Sequence, residues 1–331
     1  MSGQVNWTSG QSLQSRTGEF VQLMPKPVLH DHDGHVDDIL SAVLLWMAPE
    51  IDLQAIGITN GDCFADQAYS AMVKIATYLQ LEGAEIAVTE DAVPNPFPDN
   101  WRKESFIINE LPLFSEIEMR RSYQAKQGRK IESVFYDCLN NSKTPMTLVT
   151  TGPLTNVAPL LRDNPDLKGK VEEIVIMGGA FNVPGNVQED GHDGSAEWNI
   201  YADPEAFKAT LDTKIPIKLI PLDVTNQLPV TKEFLALLDE SSDRSRGCKL
   251  ALRLWSLVKG FEYYFWDTIT AAATIRPELY TFKEMRVDVA TSGKSMGKTS
   301  TSLFGGRKVQ VATNVDKEGF ESLLLSIFKS R

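Results

Sequence analysis

Short apolar runs alternate along this chain with longer stretches in which apolar residues recur at helical spacing. The short runs predict strands, which cover residues 28–30, 51–59, 85–89, 146–150, 171–177, 215–222, 285–291 and 308–313. The longer stretches predict helices over 37–46, 65–81, 115–141 and 316–329, and further helices within 231–275. One more predicted helix follows the fourth strand and ends at about Arg162, and another begins at Pro204. This alternation predicts an α/β fold with a mostly parallel central sheet flanked by helices.

Polar side chains follow several of the predicted strands, at the points where these strands end. Asp31 to Asp38 form the end of the first strand and the turn after it, and Asp62 follows the second. Thr151 follows the fourth strand, and the loop over 178–199 follows the fifth. The carboxyl ends of parallel strands meet at one edge of a sheet, where ligands bind in such folds. The sequence therefore predicts one polar site at that edge.

The first of these clusters carries four carboxylates within eight residues, at a predicted turn from strand to helix. They belong to Asp31, Asp33, Asp37 and Asp38. Like charges this close repel one another and raise each other's pKa, and a hard divalent cation with oxygen ligands would offset them. A simpler alternative is a solvated acidic turn in which one aspartate caps the helix. The spacing favours the metal site.

Composition restricts the classes of partner and the cellular location. The net charge of −11 makes nucleic acid an unsuitable partner, because an acidic protein repels phosphate backbones. Three scattered cysteines lack the spacing of zinc or disulfide sites and predict a reducing, cytoplasmic location. No stretch reaches the roughly 18 apolar residues of a membrane helix. Residues 1–25 are polar and predict a flexible leader, and residues 26–331 are predicted to form a single domain.

Three tryptophans stand beside polar residues outside the predicted core. Trp101 lies in a proline-rich loop, Trp198 lies between two polar residues, and Trp266 directly precedes Asp267. Large aromatic side chains next to acids at turns predict a stacking site for a flat ligand. The alternative for each is an aromatic in the core or at its rim. No motif for triphosphate binding or for a covalent nucleophile is present.

Five sequence motifs occur in the order in which one enzyme family carries them. They are Asp31-His32-Asp33-Gly34-His35-Val36-Asp37-Asp38, Thr150-Thr151-Gly152-Pro153-Leu154-Thr155-Asn156, Met177-Gly178-Gly179-Ala180, Asp193-Gly194-Ser195-Ala196-Glu197-Trp198-Asn199-Ile200-Tyr201 and Tyr263-Tyr264-Phe265-Trp266-Asp267. The chain resembles the nucleoside hydrolases, most closely the branch specific for inosine, adenosine and guanosine. This resemblance implies a Rossmann-like nucleoside hydrolase fold and a homodimer. It also implies hydrolysis of the N-glycosidic bond of a purine ribonucleoside to ribose and free base.

The resemblance also implies a calcium site. Ca²⁺ would be held by the carboxylates of Asp33, Asp38 and Asp267 and by the backbone carbonyl of Thr151, an all-oxygen set that suits this ion. Asp33 would take the proton of a calcium-bound water, which then attacks the sugar.

Further residues would bind the two halves of the substrate. By the same resemblance, the ribose is held by Asp37, Asn186, Glu197 and Asn199. The base stacks between Trp101 and Trp266, which favour a protonated, cationic base. Asp62 lies on the side of the base, and Trp198 belongs to the substrate-binding residues.

One position departs from that branch, which carries asparagine where this chain has His35. A histidine there could donate a proton to the leaving base, because its ordinary pKa lies near about 6.5. The simpler alternative is a neutral hydrogen-bonding substitute. Two other functions stay open from the sequence. One is a phosphatase of the haloacid dehalogenase type, which also begins with a strand and a DxDG motif. The other is a non-catalytic nucleoside-binding protein.

Overall fold

A computed structural model of the chain describes residues 24–115, 129–260 and 262–331, together with the backbone of 12–14 and 20–22. Within the predicted leader, two short strands, β1 (Ser12–Gln14) and β2 (Phe20–Gln22), pair with each other in antiparallel fashion. Apart from these strands and residues 24 and 25, the leader lies outside the described residues. Its flexibility stays a prediction.

Nine of the strands in the described residues form the central sheet. They are β3 (Lys26–His32), β4 (Ile51–Asn60), β5 (Glu85–Ala92), β6 (Met146–Thr150), β7 (Val171–Met177), β8 (Ile217–Ile220), β9 (Tyr280–Val289), β10 (Thr299–Thr301) and β11 (Arg307–Val315). Their order across the sheet is β10-β9-β11-β8-β7-β6-β3-β4-β5. The strands from β11 to β5 pair in parallel, and β9 pairs antiparallel with β10 and with β11. The predicted mostly parallel sheet is confirmed.

Helices cover both faces of this sheet. They are α1 (Val36–Met47), α2 (Ala65–Leu79), α3 (Asp99–Arg102), α4 (Glu104–Asn109), α5 (Ile131–Asn141), α6 (Val157–Asp163), α7 (Trp198–Ala202), α8 (Pro204–Asp212), α9 (Leu222–Thr225), α10 (Lys232–Ser242), α11 (Arg246–Leu257), α12 (Trp266–Ile275) and α13 (Lys317–Phe328). Of the predicted helix over 115–141, residues 116–128 lie outside the described residues. In the part of the chain that the structure describes, no helix is long and apolar enough to cross a membrane.

Two apolar cores lie on opposite faces of the sheet. Consecutive residues of β3 divide between them, since Val28 packs into one core and Leu29 into the other. Side chains of a strand point alternately to its two faces, so a sheet covered on both sides carries continuous apolar runs. This is why the central strands were recognisable as apolar runs rather than as alternating patterns.

Several predicted elements differ in extent from the observed ones. The strand predicted over 215–222 is shorter, because prolines at 216 and 221 flank β8 and cannot donate to a ladder of hydrogen bonds. The helix predicted over 65–81 ends two residues early, where Gln80 adopts a left-handed conformation with φ 55°. The last strand pair is longer than predicted, and the short strand β10 beside it was missed.

The turn between β3 and α1 holds the acidic residues in place. Gly34 makes this turn with φ +85°, and a Cβ at this position would lie 2.6 Å from Sγ of Cys63. The carboxylate of Asp38 reaches back to accept a hydrogen bond of 3.1 Å from the backbone N–H of His35, at the start of α1. The side chains of α1 from Val36 to Leu45 are all buried. The acids are therefore carried by a helix enclosed in the core.

The crevice of this sheet opens beside β3. From β3 the chain proceeds to β4 and β5 on one side, and later to β6 on the other. Such a reversal leaves a crevice at the carboxyl ends of the two adjacent strands. Asp31 pairs with Thr150 of β6, and the N–H of Thr151 donates to the carbonyl of Asp31 at 2.9 Å. The residues that follow β3 and β6 therefore come together there.

Candidate active site

A cavity of about 400 Å³ lies at this crevice, at the carboxyl ends of the strands. All the site residues predicted from the sequence line it, and they are Asp33, His35, Asp37, Asp38, Asp62, Trp101, Thr151, Asn186, Glu197, Trp198, Asn199, Trp266 and Asp267. Six further residues complete the wall, and they are Phe97, Asn100, Glu104, Met177, Val258 and Tyr263. The cavity thus collects side chains from loops that are far apart in the chain.

Asp33 and Asp38 are held by groups that come from the loops after β6 and β4. Asp38 accepts a hydrogen bond of 2.7 Å on Oδ1 from the hydroxyl of Thr151. Asp33 accepts one of 3.0 Å on Oδ2 from the backbone N–H of Asp62. Gly61 allows this approach, because a Cβ on it would lie 2.5 Å from Oδ2 of Asp33. Both carboxylates are therefore oriented before any ligand binds.

Asp37 joins the starts of two buried helices. Its Oδ2 accepts a hydrogen bond of 2.9 Å from the backbone N–H of Asp267, in the first turn of α12. Its Oδ1 accepts one of 2.6 Å from the hydroxyl of Tyr263. The N-terminal ends of α1 and α12 carry partial positive charge, and both face the same group of carboxylates. The two helices therefore stabilise the charge of these carboxylates.

The buried carboxylates of this site have strongly perturbed acidities. Burial, and then the negative charges of neighbouring acids, raise the pKa of Asp33, Asp38 and Asp267 well above the ordinary value. Burial also raises the pKa of Asp62 to about 7, against the opposing charge of His35. No lysine or arginine lines the described cavity wall, so none offsets the charge of these acids there.

The donor set fits a hard cation, because it consists of carboxylate and carbonyl oxygens. In their present orientations, however, no three His, Cys, Asp or Glu side chains among the described residues form a group that could hold a metal ion. The predicted carbonyl ligand, that of Thr151, accepts a hydrogen bond of 2.8 Å from Nδ2 of Asn199. A carbonyl oxygen has a second lone pair, so this bond does not prevent it from also binding a metal.

His35 has a partner on each ring nitrogen. Its Nδ1 lies 2.9 Å from the hydroxyl of Tyr263, and its Nε2 lies 3.0 Å from Oε2 of Glu104. Burial lowers the pKa of His35, but the negative charges of Asp62 and Glu104 outweigh it and raise the pKa to about 9. Whether His35 donates a proton to a base stays a prediction, and such a transfer would have to break one of these two contacts.

The residues predicted to hold a sugar also have structural bonds. Glu197 caps α7, where its carboxylate accepts hydrogen bonds from the backbone N–H groups of Asn199 at 2.9 Å and Ile200 at 3.2 Å. Burial raises the pKa of Glu197 to about 7 in spite of these bonds. Oδ1 of Asn186 accepts a hydrogen bond of 3.0 Å from the N–H of Trp198. These side chains are thus positioned by the backbone that they support.

Aromatic rings also line the cavity. Trp101, on α3, is 38% exposed and packs edge to face with Trp198, with ring centres 5.4 Å apart. Trp198 in turn stacks on Phe97 at 4.9 Å. Trp266 packs against Tyr263 at 4.7 Å. Oδ1 of Asp62 and the indole Nε1 atoms of Trp198 and Trp266 are buried and make no hydrogen bond to the described residues. These atoms are suited to polar groups of a ligand.

Sequence analysis missed four of the polar and aromatic wall residues, and they are Phe97, Asn100, Glu104 and Tyr263. Phe97 lies in the proline-rich loop before Trp101, and Tyr263 lies in the aromatic run before Asp267. Both segments were recognised, but nothing in them singled out these positions. Glu104 lies on the short helix α4, and only its contact with His35 marks it.

Comparisons with known proteins agree with this architecture. The family model described as inosine-uridine preferring nucleoside hydrolase matches residues 28–322. The pyrimidine-specific ribonucleoside hydrolase RihA of Escherichia coli O1:K1 is 31% identical over 323 residues, which cover 92% of this chain and 99% of that protein. Its namesake from Citrobacter koseri is 31% identical over 318 residues, with 91% and 97% covered.

Solved structures show the same similarity. The crystal structure of an inosine-uridine preferring nucleoside hydrolase from Bacillus anthracis has a TM-score of 0.84 and 30% identity, and covers 92% of this chain and 100% of that one. A purine-preferring ribonucleoside hydrolase from Gardnerella vaginalis shares the fold, with a TM-score of 0.76, 22% identity, and 92% and 98% covered.

These similarities settle the family but not the branch. The predicted nucleoside hydrolase family is confirmed, and the haloacid dehalogenase alternative falls with it. The predicted likeness to the purine-specific branch is not confirmed, since the two curated relatives above are named for pyrimidine nucleosides. On the match of the family model and on these relatives, the chain belongs to the inosine-uridine preferring nucleoside hydrolase family.

Proposed function

We propose that this chain hydrolyses the N-glycosidic bond of ribonucleosides, with purine nucleosides as preferred substrates. The observation that carries the proposal is a single cavity lined both by buried carboxylates and by tryptophans. A sugar and a cation would lie against the carboxylates, and a base against the tryptophans. A ribonucleoside has two matching halves, a polar sugar and a flat base.

Calcium is proposed beside the buried carboxylates. The carboxylates of Asp33, Asp38 and Asp267 and the carbonyl of Thr151 would hold it, and Ca²⁺ bound there would lower the pKa of an attacking water and bind ribose hydroxyls. Support comes from the buried negative charge and from the all-oxygen donor set.

Asp33 is proposed as the general base. It projects from the end of β3, and its carboxylate is held on one oxygen by the N–H of Asp62, which leaves the other oxygen to take a proton. As the bond to the base breaks, positive charge develops on the sugar ring, and the surrounding carboxylates stabilise that charge. Hydroxyl groups of ribose would be bound by Asp37, Asn186, Glu197 and Asn199, and this would discriminate against deoxyribose.

The base is proposed to stack between Trp101 and Trp266. Electron-rich indole faces favour a cationic ring, so they would stabilise a base that is protonated as it leaves. Trp198 and Asp62 complete this part of the cavity, and each has a buried polar atom that makes no hydrogen bond to the described residues. A purine has the larger stacking surface, which is our reason for preferring purine nucleosides.

A reducing-sugar assay tests the proposal. Inosine, uridine and 2′-deoxyinosine are incubated with the protein, with and without a calcium chelator. We expect ribose from inosine, less from uridine, almost none from 2′-deoxyinosine, and loss of activity with chelator. Binding of inosine without release of ribose would identify a non-catalytic nucleoside-binding protein instead.

Pyrimidine nucleosides are the second candidate substrates. The names of the relatives at 31% identity favour them. Faster ribose release from uridine than from inosine would decide for this candidate and against the tryptophan sandwich as the source of preference.

A further inference from the structure

A buried histidine lies beneath the acidic turn and has no part in the proposed chemistry. His30 belongs to β3 and has no exposed surface. Its Nε2 lies 3.2 Å from the hydroxyl of Thr151 and also 3.2 Å from the hydroxyl of Ser41, in α1. One ring nitrogen therefore contacts both the loop after β6 and the helix that carries the acids.

Both hydroxyl groups already direct their protons elsewhere. The hydroxyl of Thr151 donates to Oδ1 of Asp38 at 2.7 Å, and that of Ser41 donates to the backbone carbonyl of Asp38 at 2.7 Å. A hydroxyl has a single proton, and the carboxylate oxygen and the backbone carbonyl oxygen that receive these two bonds act as acceptors. Towards His30, the two hydroxyl oxygens are thus left as acceptors.

The proton inventory fixes the tautomer of His30. Nε2 must carry the ring proton and share it between the two hydroxyl oxygens. Nδ1 is buried and has no hydrogen-bond partner among the described residues, and the ring stacks on His32 with ring centres 5.1 Å apart. A charged ring would carry a second proton on Nδ1, and that buried N–H would have no acceptor, so the ring is neutral.

We propose that His30 is a positioning residue whose single N–H holds the hydroxyls of Thr151 and Ser41 and so fixes Asp38 for calcium binding. The inference rests on the calcium-dependent hydrolysis proposed above. It adds a residue that touches neither metal nor substrate. Partners of this outer kind typically contribute about 10- to 100-fold to metal affinity.

A pair of variants separates this role from simple filling of the core. His30→Gln keeps an N–H donor near the position of Nε2, whereas His30→Leu keeps the bulk and removes the donor. On the full chain, the dissociation constant for Ca²⁺ is measured by calorimetry, together with kcat and KM for ribose release. We expect His30→Leu to weaken calcium binding by about 10- to 100-fold, and His30→Gln to recover most of that loss.

A matched control comes from the neighbouring strand. Thr147 of β6 is also fully buried, and its hydroxyl has no partner among the described residues. Thr147→Val should leave the calcium dissociation constant unchanged. Equal losses in His30→Leu and His30→Gln, or calcium binding by His30→Leu as tight as in the unaltered chain, would overturn the inference.

A double-mutant cycle tests the route of the effect. Thr151→Val removes the hydroxyl through which His30 reaches the carboxylate, so His30→Leu should cost much less in that background. If His30→Leu weakens calcium binding as much in the Thr151→Val background as in the unaltered chain, the proposed route is contradicted.

One measurement needs no variant. Nitrogen NMR of the imidazole rings should show His30 as the neutral Nε2–H tautomer, and a proton on Nδ1 would overturn the inference even if a variant fails to fold. An unaltered chain that neither binds calcium nor releases ribose would overturn the proposed function as well. If the unaltered chain is active and binds calcium, but His30→Leu leaves calcium affinity unchanged, only the proposed role of His30 is overturned.

Discussion

The backbone N–H of Asp267 donates to the carboxylate of Asp37 at 2.9 Å, although 230 residues separate them in the chain. This bond joins the first turn of α12 to the first turn of α1, and both helices are buried. Two helix starts are thereby directed at one point. A site of several like charges is then held together by backbone dipoles, in addition to any cation.

Asp33→Asn should separate activity from stability. The substitution removes the proposed base and one proposed ligand, so we expect kcat/KM for ribose release to fall by at least about 10²-fold. Because burial and neighbouring charge raise the pKa of Asp33, a neutral amide should be no less stable than the carboxylate without metal. The measurements are steady-state kinetics and thermal unfolding in chelator.

The exposed Asp52, in β4, provides the control for Asp33→Asn. Asp52→Asn should change neither kcat/KM for ribose release nor the thermal stability in chelator. Activity retained in Asp33→Asn would exclude this residue as the base.

Calcium should stabilise the folded chain. A ligand that binds only the folded state adds about 2.7 kcal/mol of stability at 100 times its dissociation constant. Relief of repulsion among Asp33, Asp38 and Asp267 is the physical source of that gain. Unfolding in denaturant is measured with calcium, with magnesium and with chelator. A free energy of unfolding that is the same in all three would rule out the proposed site.

Trp266→Leu should weaken stacking on the base. Stacking of a base on an aromatic ring contributes about 1–3 kcal/mol, so kcat/KM for inosine should fall by roughly 5- to 150-fold. The loss should be larger for inosine than for uridine, because a purine covers more of the indole. Trp46, at the far end of α1, donates its Nε1 to the carbonyl of Glu82, and Trp46→Leu serves as the control. Equal losses for the two nucleosides would contradict a purine sandwich.

His35→Asn should alter the pH dependence of stability. In the folded chain the pKa of His35 is raised from 6.5 to about 9, so the protonated ring stabilises the fold. That contribution is fully present below pH 6.5 and is lost as the pH rises through about 9. In metal-free buffer, the stability advantage of the unaltered chain over His35→Asn should therefore shrink between these two values.

The same variant tests proton donation to the base. If His35 is the donor, His35→Asn should lower kcat and change the acidic limb of its pH profile. An unchanged rate and acidic limb would leave His35 with a structural role beside Glu104 and Tyr263.

Local patterns in the sequence predicted the parts of the fold that local physics determines. The apolar run before Asp31 and the acids that follow it were visible because strand, turn and helix start are adjacent in the chain. The ends of β8 were not placed correctly, although the prolines at 216 and 221 could have located them. The short strand β10 exists only because β9 offers it an edge for pairing.

Contacts between distant residues could not be predicted in the same way. His35 and Glu104 meet across 69 positions, and His30 and Thr151 meet across 121. Which atoms touch depends on how loops and helices pack, and neither residue of either pair carries a local signal for the other. The resemblance to a family named most of the cavity wall, but it did not name Glu104 or His30.

The acidic residues of the cavity are buried, whereas Trp101 is partly exposed. This difference has a consequence for divergence among related enzymes. The acids lie in a buried turn and at the starts of buried helices, so side chains of a different size there would disturb the interior. Trp101 sits on a four-residue helix at the surface, where replacement costs the fold little. With Trp101 against the base, as proposed above, base preference can therefore change at this surface position while the buried acidic residues stay the same.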